Sequence, residues 1–222
     1  MRHSSFANCL TIEFLSVAAA STNVGSSGPL TSDNQMSYGF KPSRRFGIHF
    51  DLAVEVGKTL ERCNLKKKGS VEREFEQAIV STLEGSPKLA EGLITQVGDD
   101  PVDKVTSADI FGFKHRPDSA IGIDGTAIEI KVVSRGFSIR DLIGQAFAYR
   151  VQYRFVVLVL VDNTPGNQVA KLCNDPNSNE YKMLSDLADK LNIFSIIGPL
   201  DKRSNATFIA EPQADAGLNA AA

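Results

Sequence analysis

The chain reads as an α/β fold with a mixed central β-sheet flanked by helices, and three observations predict it. Apolar spacing of helical period alternates along the chain with spacing of period two. A Val-rich apolar run, Phe155 to Val161, is followed by Asp162-Asn163-Thr164-Pro165-Gly166, the pattern of a strand buried on both faces. Asp124-Gly125 stands between two alternating segments and signals a hairpin, because both turn positions favour φ > 0. Composition agrees, since 222 residues at 42 % hydrophobic and 23 % charged suffice for one sizeable core.

Residues 21–37 are rich in Ser, Gly, Thr and Asn, so residues 1–37 are expected to form a flexible N-terminal segment. Its start, Met1-Arg2-His3 followed by Phe6 to Ala20, has the outline of a signal peptide that Asn8 and Glu13 interrupt. The folded domain, with an N-terminal helical extension, is expected over residues 38–205. Phe46 to Cys63 spaces Ile48, Leu52, Val56 and Leu60 by four, which predicts a helix ended by Lys66-Lys67-Lys68-Gly69. Ser70 suits the N-cap of a second helix, Val71 to Leu83, with a stripe of Val71, Phe75, Ala78, Ile79 and Leu83. Gly85-Ser86-Pro87 terminates it. Ser119 to Ile123 and Thr126 to Val133 read as two antiparallel strands, and Phe137 to Tyr153 as a helix. Arg154 to Val161 follows as a strand, then Tyr181 to Leu191 as a helix and Ile193 to Ile197 as a short strand. Residues 206–222 are expected to be a disordered tail.

Several function classes are disfavoured. The 24 basic and 26 acidic side chains give a net charge of −2, so no overall positive field attracts nucleic acid, and any such partner must be held locally. Cys9, Cys63 and Cys173 lack C-x-x-C spacing, which argues against disulfides and zinc and points to a reducing cytoplasm. The longest apolar run is far shorter than the roughly 20 residues of a membrane-spanning helix, so no membrane partner is expected. No G-x-S-x-G, Gly-rich phosphate loop or dinucleotide fingerprint occurs, and His3, His49 and His115 have no metal-ligand spacing. His115 stands close to Asp118 and is a possible substrate contact, or simply a satisfied surface histidine.

The hairpin carries the chemistry. With Asp124-Gly125 as a two-residue turn, Ile123 pairs with Thr126, Ala120 with Glu129 and Asp118 with Lys131. Alternation then places Asp118, Glu129 and Lys131 on one face, and Ile121, Ile123, Ile128, Ile130 and Val132 on the core face. Asp118 and Glu129 become diagonal neighbours roughly 7–8 Å apart at the backbone. Two readings fit this spacing: a solvated charged surface, and two carboxylates converging on a hard cation such as Mg²⁺ or Mn²⁺. Beside such an ion, Lys131 can orient an attacking water or stabilise charge on phosphate oxygens.

Arg116-Pro117-Asp118, then Glu129-Ile130-Lys131 on the next strand, resembles the signature of the PD-(D/E)XK nuclease superfamily. Gln145-Ala146-Phe147-Ala148-Tyr149 on the following helix resembles the Q-x-x-x-Y element of several of its branches. The resemblance spans roughly residues 71–161 and implies a restriction-endonuclease-like core. It further implies that Asp118 and Glu129 bind the metal, that the Ile130 carbonyl joins them, and that Lys131 assists the nucleophilic water. An acidic residue from the preceding helix is often added. Glu72 lies nearest the apolar stripe, with Glu76 in reserve and Glu74 pointing away; simple first-turn helix chemistry also accounts for Glu72. Gln145 and Tyr149 share a helix face, where support of the site and core packing compete as explanations.

Basic residues are concentrated locally. From Lys41 to Arg73 nine of them (Lys41, Arg44, Arg45, Lys58, Arg62, Lys66, Lys67, Lys68 and Arg73) face four acids, Asp51, Glu55, Glu61 and Glu72. Arg135 and Arg140 flank the start of the Gln-x-x-x-Tyr helix. Such charges suit a phosphate backbone, or ordinary surface solvation. The expected activity is Mg²⁺-dependent hydrolysis of phosphodiester bonds by a nuclease of endonuclease type. Mn²⁺ is a substitute ion, DNA the expected partner and RNA the second, and a homodimer suits double-strand cutting. The alternatives are a non-cleaving nucleic-acid-binding module of the same fold and an α/β interaction protein without a metal site.

Overall fold

The computed structural model describes residues 39–62, 72–96, 105–134, 136–198 and 205–215. The expected N-terminal segment, Cys9, Cys63, Lys66 to Lys68, the Ser70 cap, Val71, Arg135 and the chain after Asp215 lie outside the described residues.

Among the described residues, six strands form one mixed sheet. Their order is β1 (Leu93–Thr95), β4 (Ser119–Ile121), β5 (Thr126–Val133), β6 (Phe155–Asp162), β7 (Ile193–Gly198) and β8 (Thr207–Ile209). Pairing is parallel between β5 and β6 and between β6 and β7, and antiparallel elsewhere. A separate two-stranded ribbon joins β2 (Ala108–Ile110) to β3 (Phe113–His115). The α/β class and the mixed sheet flanked by helices are as the sequence predicts.

Helices α1 (Ile48–Glu61), α2 (Glu72–Glu84) and α3 (Pro87–Ala90) cover one face. They bury Phe50, Val56, Leu60, Phe75, Ile79 and Leu83 against Ile128, Ile130, Phe155 and Val157. The other face packs under α4 (Gly136–Gln152), α5 (Gln168–Cys173) and most of α6 (Asn179–Leu191), with Leu142, Ala146 and Tyr149 against Ala120, Ala127, Leu158 and Leu160. All eight residues of β6 are buried, as expected of a strand covered twice. Among the described residues, no helix is long and apolar enough to cross a membrane.

The differences from expectation have local causes. The α1 stripe is rotated: Phe50, Ala53, Val56, Gly57 and Leu60 are buried, whereas Ile48 is exposed at the helix start. On α2, Val80 is buried in place of Ala78. The β4–β5 connection is a four-residue loop, Gly122 to Gly125, rather than a two-residue turn. The register accordingly becomes Ser119 with Ile128 and Ile121 with Thr126, and Ile123 is exposed in the loop instead of buried. A shift of two residues preserves side-chain parity, so the face assignments survive. Order continues past residue 205: β8 pairs with β7, and its Phe208 packs on Gly57 of α1, where any Cβ would collide with the ring. The basic stretch is partly consumed in ion pairs, with Lys41 on Asp124 at 2.7 Å and Lys58 on Glu211 at 2.8 Å.

Candidate active site

The strands β4 and β5 differ in length, and that difference makes the site. Beyond Ile128, residues Glu129–Val133 of β5 remain paired to β6 but no longer to β4. Asp118 stands where β4 falls short, and its side chain continues the ladder: the Ile130 N–H donates to Asp118 Oδ2 at 2.7 Å. A strand residue directs its N–H and C=O to the same side, so the Ile130 carbonyl faces the same open edge. Pro117, opposite Ile130 by continuation of the register, has no N–H to offer it.

Asp118 is gripped from its other flank. The Gln96 N–H donates to the Asp118 carbonyl at 3.1 Å, and Gln96 Nε2 donates to the Pro117 carbonyl at 2.7 Å. No pattern in the sequence marks Gln96. It sits just past β1, remote in sequence from the hairpin and outside any periodic pattern.

Glu129 shares Asp118's face and is 5 % exposed. The Tyr149 hydroxyl, on α4, lies 2.9 Å from Glu129 Oε2 and 3.0 Å from the Arg116 carbonyl. A phenol has one hydrogen, so it donates to one of these acceptors at a time. Tyr149 is therefore both a core ring and a clamp on the site, joining the two roles that competed in the sequence. Gln145 lies one turn earlier, and its Oε1 is buried without a hydrogen-bond partner among the described residues.

Lys131 Nζ donates to Glu72 Oε1 at 2.8 Å, across the open edge to the start of α2. This contact holds the lysine's pKa above its ordinary value, so Lys131 is an ammonium at neutral pH. Glu72 is thus engaged with the lysine, and its charge also acts on Asp118. Glu76 follows one turn later, and burial and the Glu72 charge push its pKa up.

The two central carboxyls are unusual. Burial, reinforced by the Asp118 charge, pushes Glu129 up to about 8. Burial likewise pushes Asp118 up to about 6 against the opposing Ile130 N–H, with the charges of Glu76 and Glu72 adding to it. The strand thus holds two carboxyls side by side where ionisation of both is disfavoured. A divalent cation would relieve this, and oxygen donors of this kind match Mg²⁺ or Mn²⁺. Among the described residues, no three His, Cys, Asp or Glu side chains form a ready-made metal cage. The pair would supply two ligands, leaving water and substrate oxygens to fill the remaining positions, as Mg²⁺ usually has it.

Of the residues expected at the site, Asp118, Glu129, Ile130 and Tyr149 meet directly, and Lys131 and Glu72 form their own adjoining pair. Gln145 lies on the same helix face as Tyr149. His115 is half-buried at the end of β3 and is not part of this network. Set against family models, curated proteins and solved structures, the chain matches none of them.

Proposed function

We propose that this protein is a divalent-metal-dependent nuclease with a restriction-endonuclease-like core, hydrolysing phosphodiester bonds in DNA. One observation carries the reading: Asp118 and Glu129 are held together at the open edge of β5, with Lys131 beside them as an ammonium. Burying one carboxyl against a second destabilises a fold, and a catalytic site is where such an arrangement is retained.

Asp118, Glu129 and the Ile130 carbonyl would hold Mg²⁺ or Mn²⁺. When bound, the ion would supply positive charge to the phosphate oxygens and to the attacking water. Lys131, kept protonated by Glu72, acts as a donor and not as a base. It orients the water and stabilises charge growing on the phosphate oxygens. Tyr149 fixes the Glu129 carboxylate, while Gln96 and the Ile130 N–H fix Asp118. Gln145 Oε1, buried without a partner among the described residues, is an acceptor for a nearby water.

The test compares wild type with Asp118→Ala and Lys131→Ala for cleavage of plasmid and of linear single- and double-stranded DNA, in Mg²⁺, Mn²⁺ and EDTA. Metal-dependent cutting by wild type, lost in both variants, is the expected result. If wild type cuts none of these, Mn²⁺ calorimetry separates the alternatives. Binding abolished by Asp118→Ala would leave a metal-holding module that does not cleave these DNAs, and no binding would overturn the proposal.

A further inference from the structure

The β2–β3 ribbon contains a feature that folding does not explain. Its base is anchored: Ala108 is buried against α4, and the Tyr153 hydroxyl donates to the Thr106 carbonyl at 2.6 Å. Its tip is bare. Phe111 is 90 % exposed and Phe113 is 69 % exposed, so two aromatic rings stand in solvent on one turn. Phe111 also holds φ at +53°, next to Gly112 at +79°. Asn, Asp or Gly is the ordinary occupant of such a position, and a bulky side chain there is strained. Exposure and strain both disfavour a phenylalanine at this point, and strain maintained on a protruding turn points to function.

The surroundings identify a partner. Phe113-Lys114-His115-Arg116 interleaves aromatic and basic residues, with Lys114 and Arg116 exposed. The acid on the ribbon, Asp109, faces Lys114 across the ladder and accepts the Ser107 hydroxyl at 3.2 Å. Asp118 is five positions after Phe113, at most about 17 Å of extended chain. The link is held firmly, because Tyr149 reaches both the Arg116 carbonyl and Glu129. Aromatic rings stack on bases of any sequence but only where the bases are unpaired, and nearby cations hold the phosphates between them.

We infer that the β2–β3 tip is a base-stacking finger, with Phe111 and Phe113 engaging unpaired bases of a nucleic-acid strand next to the Asp118–Glu129 site. The preferred substrate class is therefore single-stranded or locally unpaired DNA. The inference rests on the nuclease reading for the position of the cut, whereas the stacking itself does not require cleavage.

Binding is measured in EDTA and in Ca²⁺ by fluorescence anisotropy. The probes are a single-stranded oligonucleotide, its fully paired duplex and a duplex with a central bubble. Wild type is expected to prefer the strand and the bubble. The Phe111→Ala/Phe113→Ala double variant should lose about tenfold or more of that affinity while changing little on the duplex. A 2-aminopurine in the bubble should be quenched by wild type and not by the variant. Phe111→Asn, which accepts positive φ, should melt no lower than wild type yet bind the strand more weakly, which separates function from folding.

Equal affinities of wild type and the double variant would overturn the inference, as would a dimer dissolved by the double variant with DNA affinity unchanged. Two outcomes separate it from the nuclease reading. Stacking without metal-dependent cutting or Mn²⁺ binding sinks that reading and keeps the finger. Cleavage whose strand preference survives the double variant keeps the nuclease and sinks the finger.

Discussion

Tyr149 and Arg150 are neighbours on α4, and each serves a buried charged region of a different kind. Arg150 is 3 % exposed, and among the described residues no carboxylate accepts a hydrogen bond from it. Its guanidinium donates to the carbonyls of Leu191 at 2.7 Å and Lys41 at 3.1 Å, to Ser43 Oγ at 3.0 Å, and to the carbonyls of Tyr153 and Arg154. Phe40 lies over it, with the guanidinium carbon 5.5 Å from the ring centroid. The Asp118–Glu129 pair, buried at Glu129 and half-buried at Asp118, has few donors and sets one carboxyl beside another. A buried charge whose hydrogen bonds are complete ties segments together, whereas one left incomplete is held ready for something the chain does not provide. On the proposed reading, that difference is the one between a charge that holds the fold and a charge that serves a site.

The sharpest way to break this comparison is to remove charge on each side. Arg150→Ala strands several carbonyls inside the protein and should destabilise it by about 3–5 kcal/mol in denaturant melts. At pH 8 in EDTA, Glu129→Gln should do the reverse and stabilise the fold, while losing Mn²⁺ binding in calorimetry and cleavage in the plasmid assay. Two destabilising substitutions of similar size would erase the distinction.

Proton linkage sharpens it further. The folded-state values of Asp118 and Glu129 lie above the unfolded ones, so the native protein holds more protons between the ordinary carboxylate range and about pH 8. The contribution of this pair to stability is then fully present at low pH and declines as pH rises through that window. Melts of wild type and Glu129→Gln in EDTA should diverge from pH 5 to pH 8 by something on the order of 2 kcal/mol. Saturating Mn²⁺ should close the gap by stabilising wild type alone at the upper end.

Smaller effects test the supports. Tyr149→Phe deletes one hydroxyl and should reduce stability by about 1 kcal/mol. Because the Tyr149 hydrogen bond favours the ionised Glu129, this variant should also move the pH midpoint of Mn²⁺ binding upward. Glu72→Gln breaks a partly exposed ion pair and should change stability by less than about 1 kcal/mol. Its effect should appear instead in the cleavage rate, through the aim of Lys131.

Much of this was legible from side-chain parity. Asp118, Glu129 and Lys131 fall on one face under either register, because the loop moved the pairing by two residues and parity is indifferent to that. The turn is longer than its dipeptide signals, since Asp124-Gly125 lies inside a four-residue loop and Ile123 belongs to that loop and not to the core. Three-residue strands such as β1, β2, β3 and β8 are too short to establish a period. Gln96 and the Arg116 carbonyl act through the main chain or from far upstream, where pattern carries no information. The second partner of Tyr149 has no one-dimensional trace for the same reason.

The early end of β4 has one further consequence. Pro117 acts as a zipper stop: lacking an N–H, it keeps β4 from closing over Ile130, so main-chain groups that would have met a neighbouring strand are turned outward at the place where Asp118 stands. The notch is thus made by a missing hydrogen and not by an added residue. It follows that the candidate centre can be erased with Asp118 and Glu129 both in place, by letting the strand run on.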